Sequence, residues 1–135
     1  MINKIDHIGI AVASLENQIP FYRDVLGLEF LGTEEVADQK VKTAMFKVGN
    51  VKIELLEPTD PSSPIAAFLE KKKDGIHHIA YESDNIEEQI DDLQAKEIRM
   101  IDKEPRGGAH NTKIAFIHPK SSGRVLTEIC QPRGE

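Results

Sequence analysis

The sequence is poor in cysteine, in aromatic residues and in basic charge. Cys130 is the only cysteine among 135 residues, so no disulfide can form within the chain, and this usage favours a reducing compartment, the cytoplasm. Lysine and arginine number 17 against 23 aspartates and glutamates, which gives a formal net charge of −6. Because contacts with nucleic-acid phosphates need a basic surface, we expect no DNA or RNA partner.

Long apolar runs are also missing. No stretch reaches the roughly 20 apolar residues of a membrane-spanning helix, so we expect no membrane partner. The opening "MINKIDHIGIAV" lacks a charged segment followed by a long apolar one, because Asp6 and His7 interrupt it, and it does not predict a secretory signal. The 39% of hydrophobic residues suits a single domain over residues 1–135.

Two parts of the sequence resemble each other. The segment "DHIGIAVASLENQIPFYRDVLGLEF" aligns with "HHIAYESDNIEEQIDDLQAKEIRM", and "VKIELLEP" aligns with "VLTEICQP". Each half has the pattern β-α-β-β-β, so the sequence predicts an α+β fold built from a duplicated unit. The predicted modules cover about residues 4–60 and 75–132, joined by a helix at about 62–74.

Capping residues and apolar spacing predict the helices. Ser14 is the expected cap of the first helix, Asp84 or Asn85 that of the last, and Ser63 before Pro64 that of the linker helix. Pro20 should kink or delay the first helix because it lacks a backbone donor. The apolar face expected for that helix consists of Leu15, Ile19, Tyr22 and Leu26.

Two histidines occupy equivalent places in the repeat. His7 begins a strand and is followed two residues later by Gly9; His78 aligns with it and is followed by Ala80. Because strand side chains alternate between faces, each histidine shares a face with small residues, which leaves the open space that a cleft needs. His77 lies on the opposite face, so His78 is the candidate functional histidine.

Two glutamates occupy equivalent places as well. Glu54 and Glu128 each stand alone between apolar neighbours in the last strand of a module. A single strand histidine is more often a packed core residue, and a single strand glutamate usually faces solvent; four such residues in register favour one shared site. Two imidazoles and two carboxylates suit one divalent cation, namely Zn, Mn, Co, Ni or Fe(II).

Several motifs resemble the vicinal oxygen chelate superfamily, which includes glyoxalases, bleomycin-resistance proteins and dioxygenases. They are "DHIGIAV", "FYRDVLGL", "KIELLEP", "GIHHIAY", "EPRGGAHNTKIAFIHPKSSG" and "VLTEI". Within the superfamily they are most similar to the methylmalonyl-CoA epimerases. The resemblance implies a cupped, eight-stranded mixed sheet around one metal ion held by His7, Glu54, His78 and Glu128, and a homodimer by analogy.

The resemblance also implies a proton transfer at the acyl carbon next to the thioester. Inverting that centre needs an acid or base on each face. Glu128 matches the glutamate with a proton-transfer role in the family. Thr43 stands where some epimerases carry a second glutamate and cannot act as a base near neutral pH, so Glu54 is the expected partner of Glu128.

A CoA thioester carries several phosphate charges, which an acidic protein must meet with a local basic surface. The candidates are Arg106, in the expected loop 103–111, and Lys120, Ser121 and Arg124 in the loop 118–124. Lactoylglutathione lyase (glyoxalase I) is the nearest alternative function, because it pairs two metal-bound carboxylates. A ring-cleaving dioxygenase, with three protein ligands, and a metal-free ligand-binding protein of the same scaffold are more distant alternatives.

Overall fold

The protein is described by a computed structural model over residues 1–133, which fold as two compact units. The first unit is His7–His77, and the second joins Met1–Asp6 to the chain from His78 onward. Each unit holds most of one βαβββ module, with four strands in each module, and the eight strands confirm the predicted α+β class. No helix in the described residues is long and apolar enough to cross a membrane.

The first module is a four-stranded mixed sheet with helices on both faces. Its strands stand in the order β2-β3-β4-β1, and β1 runs parallel to β4 while the other neighbours are antiparallel. The elements are β1 (Ile2–Ala11), α1 (Leu15–Pro20), β2 (Glu29–Val36), β3 (Val41–Val48), β4 (Val51–Pro58) and α2 (Pro64–Lys72).

The helix α1 begins where the sequence predicts, because the Ser14 side chain accepts a hydrogen bond from the backbone N–H of Asn17 at 3.1 Å. At Pro20 the winding changes, and Phe21–Val25 continue as a π-helical segment. Tyr22 still packs on the core, but a π-helical turn holds more residues, so Leu26, which follows this segment, leaves the predicted face. The prediction for Leu26 is therefore wrong: its side chain is 51% exposed.

The second module repeats this arrangement. Its strands stand in the order β5-β8-β7-β6, with β5 parallel to β8 and the remaining pairs antiparallel. Asn85 caps its helix by accepting the N–H of Glu88 at 3.1 Å. The elements are β5 (Gly75–Ser83), α3 (Ile86–Ala95), β6 (Arg106–Gly108), β7 (Thr112–Ile117) and β8 (Thr127–Pro132).

One strand lies where the sequence predicts a loop. β6 falls inside the expected loop 103–111, whereas the apolar segment before it contributes only a single bridge, between Met100 and Ile117. Glycines carry no strand preference, so the pattern of Gly107 and Gly108 does not reveal it. The pairing nevertheless requires glycine, because a Cβ on Gly108 would lie 2.6 Å from Cγ2 of Ile114.

Each sheet packs one face on its own helix. In the first unit Leu55 and Phe46 pack with Leu15 of α1, and in the second Ile129 packs with Ile86 and Ile90 of α3. Because Glu54 precedes Leu55 and Glu128 precedes Ile129, strand alternation turns both glutamates to the face away from these helices. The two glutamates therefore lie on the face opposite α1 and α3, as strand alternation predicts.

Candidate metal and proton-transfer site

His7 and Glu54 form a buried pair on adjacent parallel strands of the first unit. Nε2 of His7 lies 3.4 Å from Oε1 of Glu54, and the two side chains are 8% and 6% exposed. The register places Gly9, rather than His7, directly beside Glu54. Since glycine has no side chain, the space beside the carboxylate stays open for the imidazole that reaches across from His7.

His78 and Glu128 form an equivalent pair in the second unit. Nε2 of His78 lies 3.4 Å from Oε1 of Glu128, with side-chain exposures of 4% and 6%. Here Ala80 stands beside Glu128 in the parallel register of β5 and β8, as Gly9 stands beside Glu54. The duplication has therefore preserved both the two side chains and the small neighbour that makes room for them.

Each pair fits a divalent cation. Two protein ligands at about 2.1 Å from one ion, separated by about 90° to 110°, have donor atoms about 3.0 to 3.4 Å apart. The observed 3.4 Å lies at the upper end of that range and is long for a charge-assisted hydrogen bond of about 2.8 Å. Imidazole nitrogen and carboxylate oxygen together suit a borderline divalent metal. A buried carboxylate also needs such compensation for the water it has lost.

One aromatic ring contacts the second pair. Phe116 of β7 stands directly opposite Glu128 in the antiparallel register. Its ring meets the ring of His78 edge to face, with centroids 5.7 Å apart and an interplanar angle of 83°. The guanidinium of Arg106 lies over the same phenyl ring, 5.5 Å from its centroid. The sequence did not reveal Phe116, because only the pairing of β7 with β8 brings it to this site.

The surroundings of the first pair are different. Met45 stands opposite Glu54 in the register of β3 and β4, at the place that Phe116 holds in the second module. Thr43, two residues away on the same face, is 1% exposed, and its hydroxyl donates to the backbone oxygen of Glu34 at 3.3 Å. The hydroxyl of Thr43 therefore has a structural partner.

The predicted anion-binding loop follows β7. The backbone N–H of Lys120 donates to Nδ1 of His118 at 3.0 Å, and Oγ of Ser121 accepts the backbone N–H of Arg99 at 2.9 Å. Loss of solvent, followed by the charges of Arg99 and Lys120, lowers the pKa of His118. Positive charge thus gathers at this loop, and Arg99, from the segment before β6, contributes a cation that sequence reasoning missed. Arg124 lies in the same turn with a φ of 72°, and Arg106 lies apart from this loop, on β6.

Two further residues with reactive side chains, His77 and Cys130, pack against other residues of the protein. His77 packs edge to face on Phe68 of α2, with ring centroids 5.1 Å apart, and burial lowers its pKa to about 4. Cys130 is buried, and burial, followed by the carboxylates of Asp6, Glu128 and Glu82, raises the pKa of its thiol. Both side chains are therefore held by packing.

A family model for the glyoxalase/bleomycin resistance protein/dioxygenase superfamily matches residues 6–116, which span both modules and three of the four paired residues. The chain belongs to this superfamily. Within the superfamily, it is 48% identical over 134 residues to an uncharacterised protein of Bacillus subtilis, covering 99% of this chain and 96% of that one.

Other members of the superfamily that resemble the chain have a stated activity. The human mitochondrial methylmalonyl-CoA epimerase is 40% identical over 131 residues, which cover 96% of this chain and 74% of the enzyme. A solved methylmalonyl-CoA epimerase, in complex with methylmalonyl-CoA and ammonium, superimposes with a TM-score of 0.95 at 36% identity, over 99% of this chain and 97% of that one.

Proposed function

We propose that the protein is a metal-dependent methylmalonyl-CoA epimerase, with residues 1–135 acting as one domain. The observation that carries the proposal is the pair of equivalent buried His–Glu contacts, one in each module, each at 3.4 Å. The epimerases among its relatives support the substrate. In this proposal His7, Glu54, His78 and Glu128 hold one divalent cation, whose identity is open among Zn, Mn, Co, Ni and Fe(II).

The reaction inverts the acyl α-carbon, which lies between a carboxylate and a thioester. Glu128 starts ionised and Glu54 starts protonated: Glu128 takes the proton from one face of this carbon, and Glu54 gives its own proton to the other face. The step leaves Glu128 protonated and Glu54 ionised, which is the starting state of the reverse reaction, and proton exchange with solvent restores the first state. When bound, the cation supplies positive charge that stabilises the enolate oxygen as negative charge develops there. Burial of both carboxylates supports these roles, because general bases work best when they are shielded from bulk water.

The loop after β7 is proposed to bind the phosphates of coenzyme A. Lys120 and Arg124 bring positive charge, and Ser121 brings a hydroxyl. The fixed contacts of this loop to Arg99 and His118 support the proposal, since they order the turn before any ligand arrives. A homodimer and a cytoplasmic location remain predictions.

The test is deuterium uptake. The metal-loaded protein is incubated with (2R)-methylmalonyl-CoA in deuterated water, and label at the acyl α-carbon is followed by mass spectrometry. The proposal predicts rapid uptake that a chelator abolishes and added metal restores. Turnover of the glutathione–methylglyoxal hemithioacetal without any deuterium uptake would instead assign the protein as lactoylglutathione lyase. The absence of both activities would reject both assignments.

A further inference from the structure

Arg106 shares a sheet face with the second His–Glu pair. On β6 it stands opposite Ile114 of β7, and Phe116, two residues further along β7, stands opposite Glu128. Residues that pair across antiparallel strands point to the same side, as do residues two apart in one strand. The side chain of Arg106 therefore rises from the same face as Glu128.

A single carboxylate fixes the position of Arg106. Oδ1 of Asp102 accepts a hydrogen bond from Nε of Arg106 at 3.0 Å, and Oδ2 accepts the backbone N–H of Phe116 at 2.9 Å. The guanidinium then lies over the Phe116 ring, which in turn contacts His78. A continuous series of contacts thus runs from Asp102 through Arg106 and Phe116 to the candidate metal ligand His78.

The orientation leaves a specific part of the guanidinium facing outward. Asp102 engages Nε, so Nη1 and Nη2 carry the remaining donors, in the planar arrangement that binds two oxygens of one oxyanion. The side chain is 45% exposed, while that of Asp102 is 16% exposed. A ligand can therefore reach the arginine, and the buttressing carboxylate stays covered.

Arg106 is also the one cation that this face receives from its own strands. In the described strands β5 to β8 the basic residues are Arg106 and Lys113. Lys113 alternates to the opposite face, where its ammonium lies 3.0 Å from Glu87 of α3. A negatively charged ligand group next to Glu128 would thus find its positive partner in Arg106.

We propose that Arg106 binds the free carboxylate of the substrate's acyl group, and so selects malonyl-type acyl thioesters over acyl thioesters without a second carboxylate. The inference rests on the proposed function and moves Arg106 from the phosphate end of the substrate to its reacting end. Removing a proton beside a carboxylate places new negative charge next to an existing one. A guanidinium on that carboxylate reduces the repulsion, so Arg106 acts on the proton-transfer rate as well as on binding.

Calorimetric titration of the metal-loaded protein with two ligands tests this. Methylmalonyl-CoA has the second carboxylate; propionyl-CoA has the same coenzyme A but lacks it. We expect Arg106→Gln to weaken methylmalonyl-CoA binding by about 10-fold to 100-fold, typical of a lost charge-assisted contact, and to change propionyl-CoA binding less than threefold. Arg106→Lys keeps the charge without the planar donors, and should give a smaller loss for methylmalonyl-CoA alone.

Two further variants sharpen the result. Lys113→Gln removes the same charge from the opposite face and should leave both ligands unaffected. Asp102→Asn should weaken methylmalonyl-CoA selectively, and should add no further loss when Arg106 is already glutamine, because Asp102 acts through Arg106. A loss of Asp102→Asn that adds fully to that of Arg106→Gln would contradict the positioning role.

The possible failures are distinct. If Arg106→Gln weakens the binding of both ligands equally, the arginine contacts a coenzyme A phosphate. If it weakens the binding of neither, the arginine contacts only solvent. Either result overturns the inference, while the wild type still exchanges deuterium. If Arg106→Gln does not fold, the Arg106→Lys titration decides in the same way. A wild-type protein that neither exchanges deuterium nor binds methylmalonyl-CoA would overturn the proposed function itself.

Discussion

Glu54 and Glu128 each lie 3.4 Å from a histidine, but the strand next to each glutamate offers a different side chain. Met45 stands opposite Glu54, whereas Phe116 stands opposite Glu128. The outermost strand of each module differs too: β2 has 8 residues, whereas β6 has 3 and begins with Arg106. The two modules share the His–Glu pair, whereas the neighbouring strands differ.

This difference separates two tasks. In the proposed reaction the two His–Glu pairs need the same chemistry, because inversion requires a proton donor or acceptor at each face of the acyl carbon. Substrate selection needs only one side, and the second module carries the ring and the guanidinium that can provide it. We therefore expect equal effects when either His–Glu pair is altered, and unequal effects when the residues around the two pairs are altered.

The strongest test of symmetry is removal of each proton carrier in turn. Glu128→Gln and Glu54→Gln should each reduce deuterium uptake by about 10³-fold, because glutamine keeps the shape but cannot take up a proton. The measurement is the initial uptake rate at saturating substrate and metal. Near-wild-type exchange in either variant would remove that glutamate from the mechanism and break the symmetry between modules.

Removal of the metal should destabilise the folded protein. With free metal at about 100-fold above its dissociation constant, bound metal adds about 3 kcal/mol to the free energy of unfolding. Calorimetry should therefore show a lower Tm after chelation and full recovery after reloading. His7→Gln and His78→Gln serve as controls, since in each variant the chelator should no longer lower the Tm. If it still lowers the Tm of one variant, the metal is held by the unaltered module alone.

Neighbouring histidines on opposite faces of β5 should behave differently. The pKa of His77 is lowered by burial to about 4, so the unfolded chain binds its proton more readily. Stability is therefore full above about pH 6.5 and falls, by at most about 3 kcal/mol, as the pH drops toward 4. Denaturant unfolding across this range should show the loss in wild type and a smaller one in His77→Gln.

The same variant has a second readout. Deuterium uptake by His77→Gln should stay within about threefold of wild type, because its ring packs on Phe68 rather than facing Glu128. His78→Gln should lose uptake. If His77→Gln lost deuterium uptake and His78→Gln kept it, His77 rather than His78 would be the histidine that faces the site.

The two helix caps should have the smallest and most similar effects. Ser14→Ala and Asn85→Ala each remove one side-chain acceptor of a backbone N–H, which costs about 1 kcal/mol. Urea denaturation should give similar losses, with deuterium uptake unchanged at a temperature where both variants are folded. A loss for Ser14→Ala near zero would show that the π-helical segment, and not the cap, sets the stability of α1.

The sequence predicted the features that depend on local periodicity. Strand alternation predicted that His7, Glu54, His78 and Glu128 point away from α1 and α3. The capping pattern predicted the starts of α1 and α2 correctly, at Ser14 and Ser63. The exposure of Leu26 was not predicted because it depends on the helical winding after Pro20. The strand β6 was not predicted because its pairing is made by glycines.

Features that depend on the pairing of distant strands could not be read from the sequence. Phe116 reaches His78 only because β7 lies beside β8, and Asp102 joins Arg106 to the backbone of Phe116 across a gap of 14 residues. No periodicity links these positions. Such contacts come from the register of the sheet, and they are where the two modules differ most.

One cation shared by both His–Glu pairs is the basis of the proposed function. Metal stoichiometry, measured by plasma mass spectrometry on protein loaded with Co and freed of excess ion, tests it. We expect one equivalent per chain, reduced to nearly zero by His7→Gln and equally by His78→Gln. Two equivalents in the wild type, or a full equivalent retained by either variant, would mean that the pairs do not share one ion.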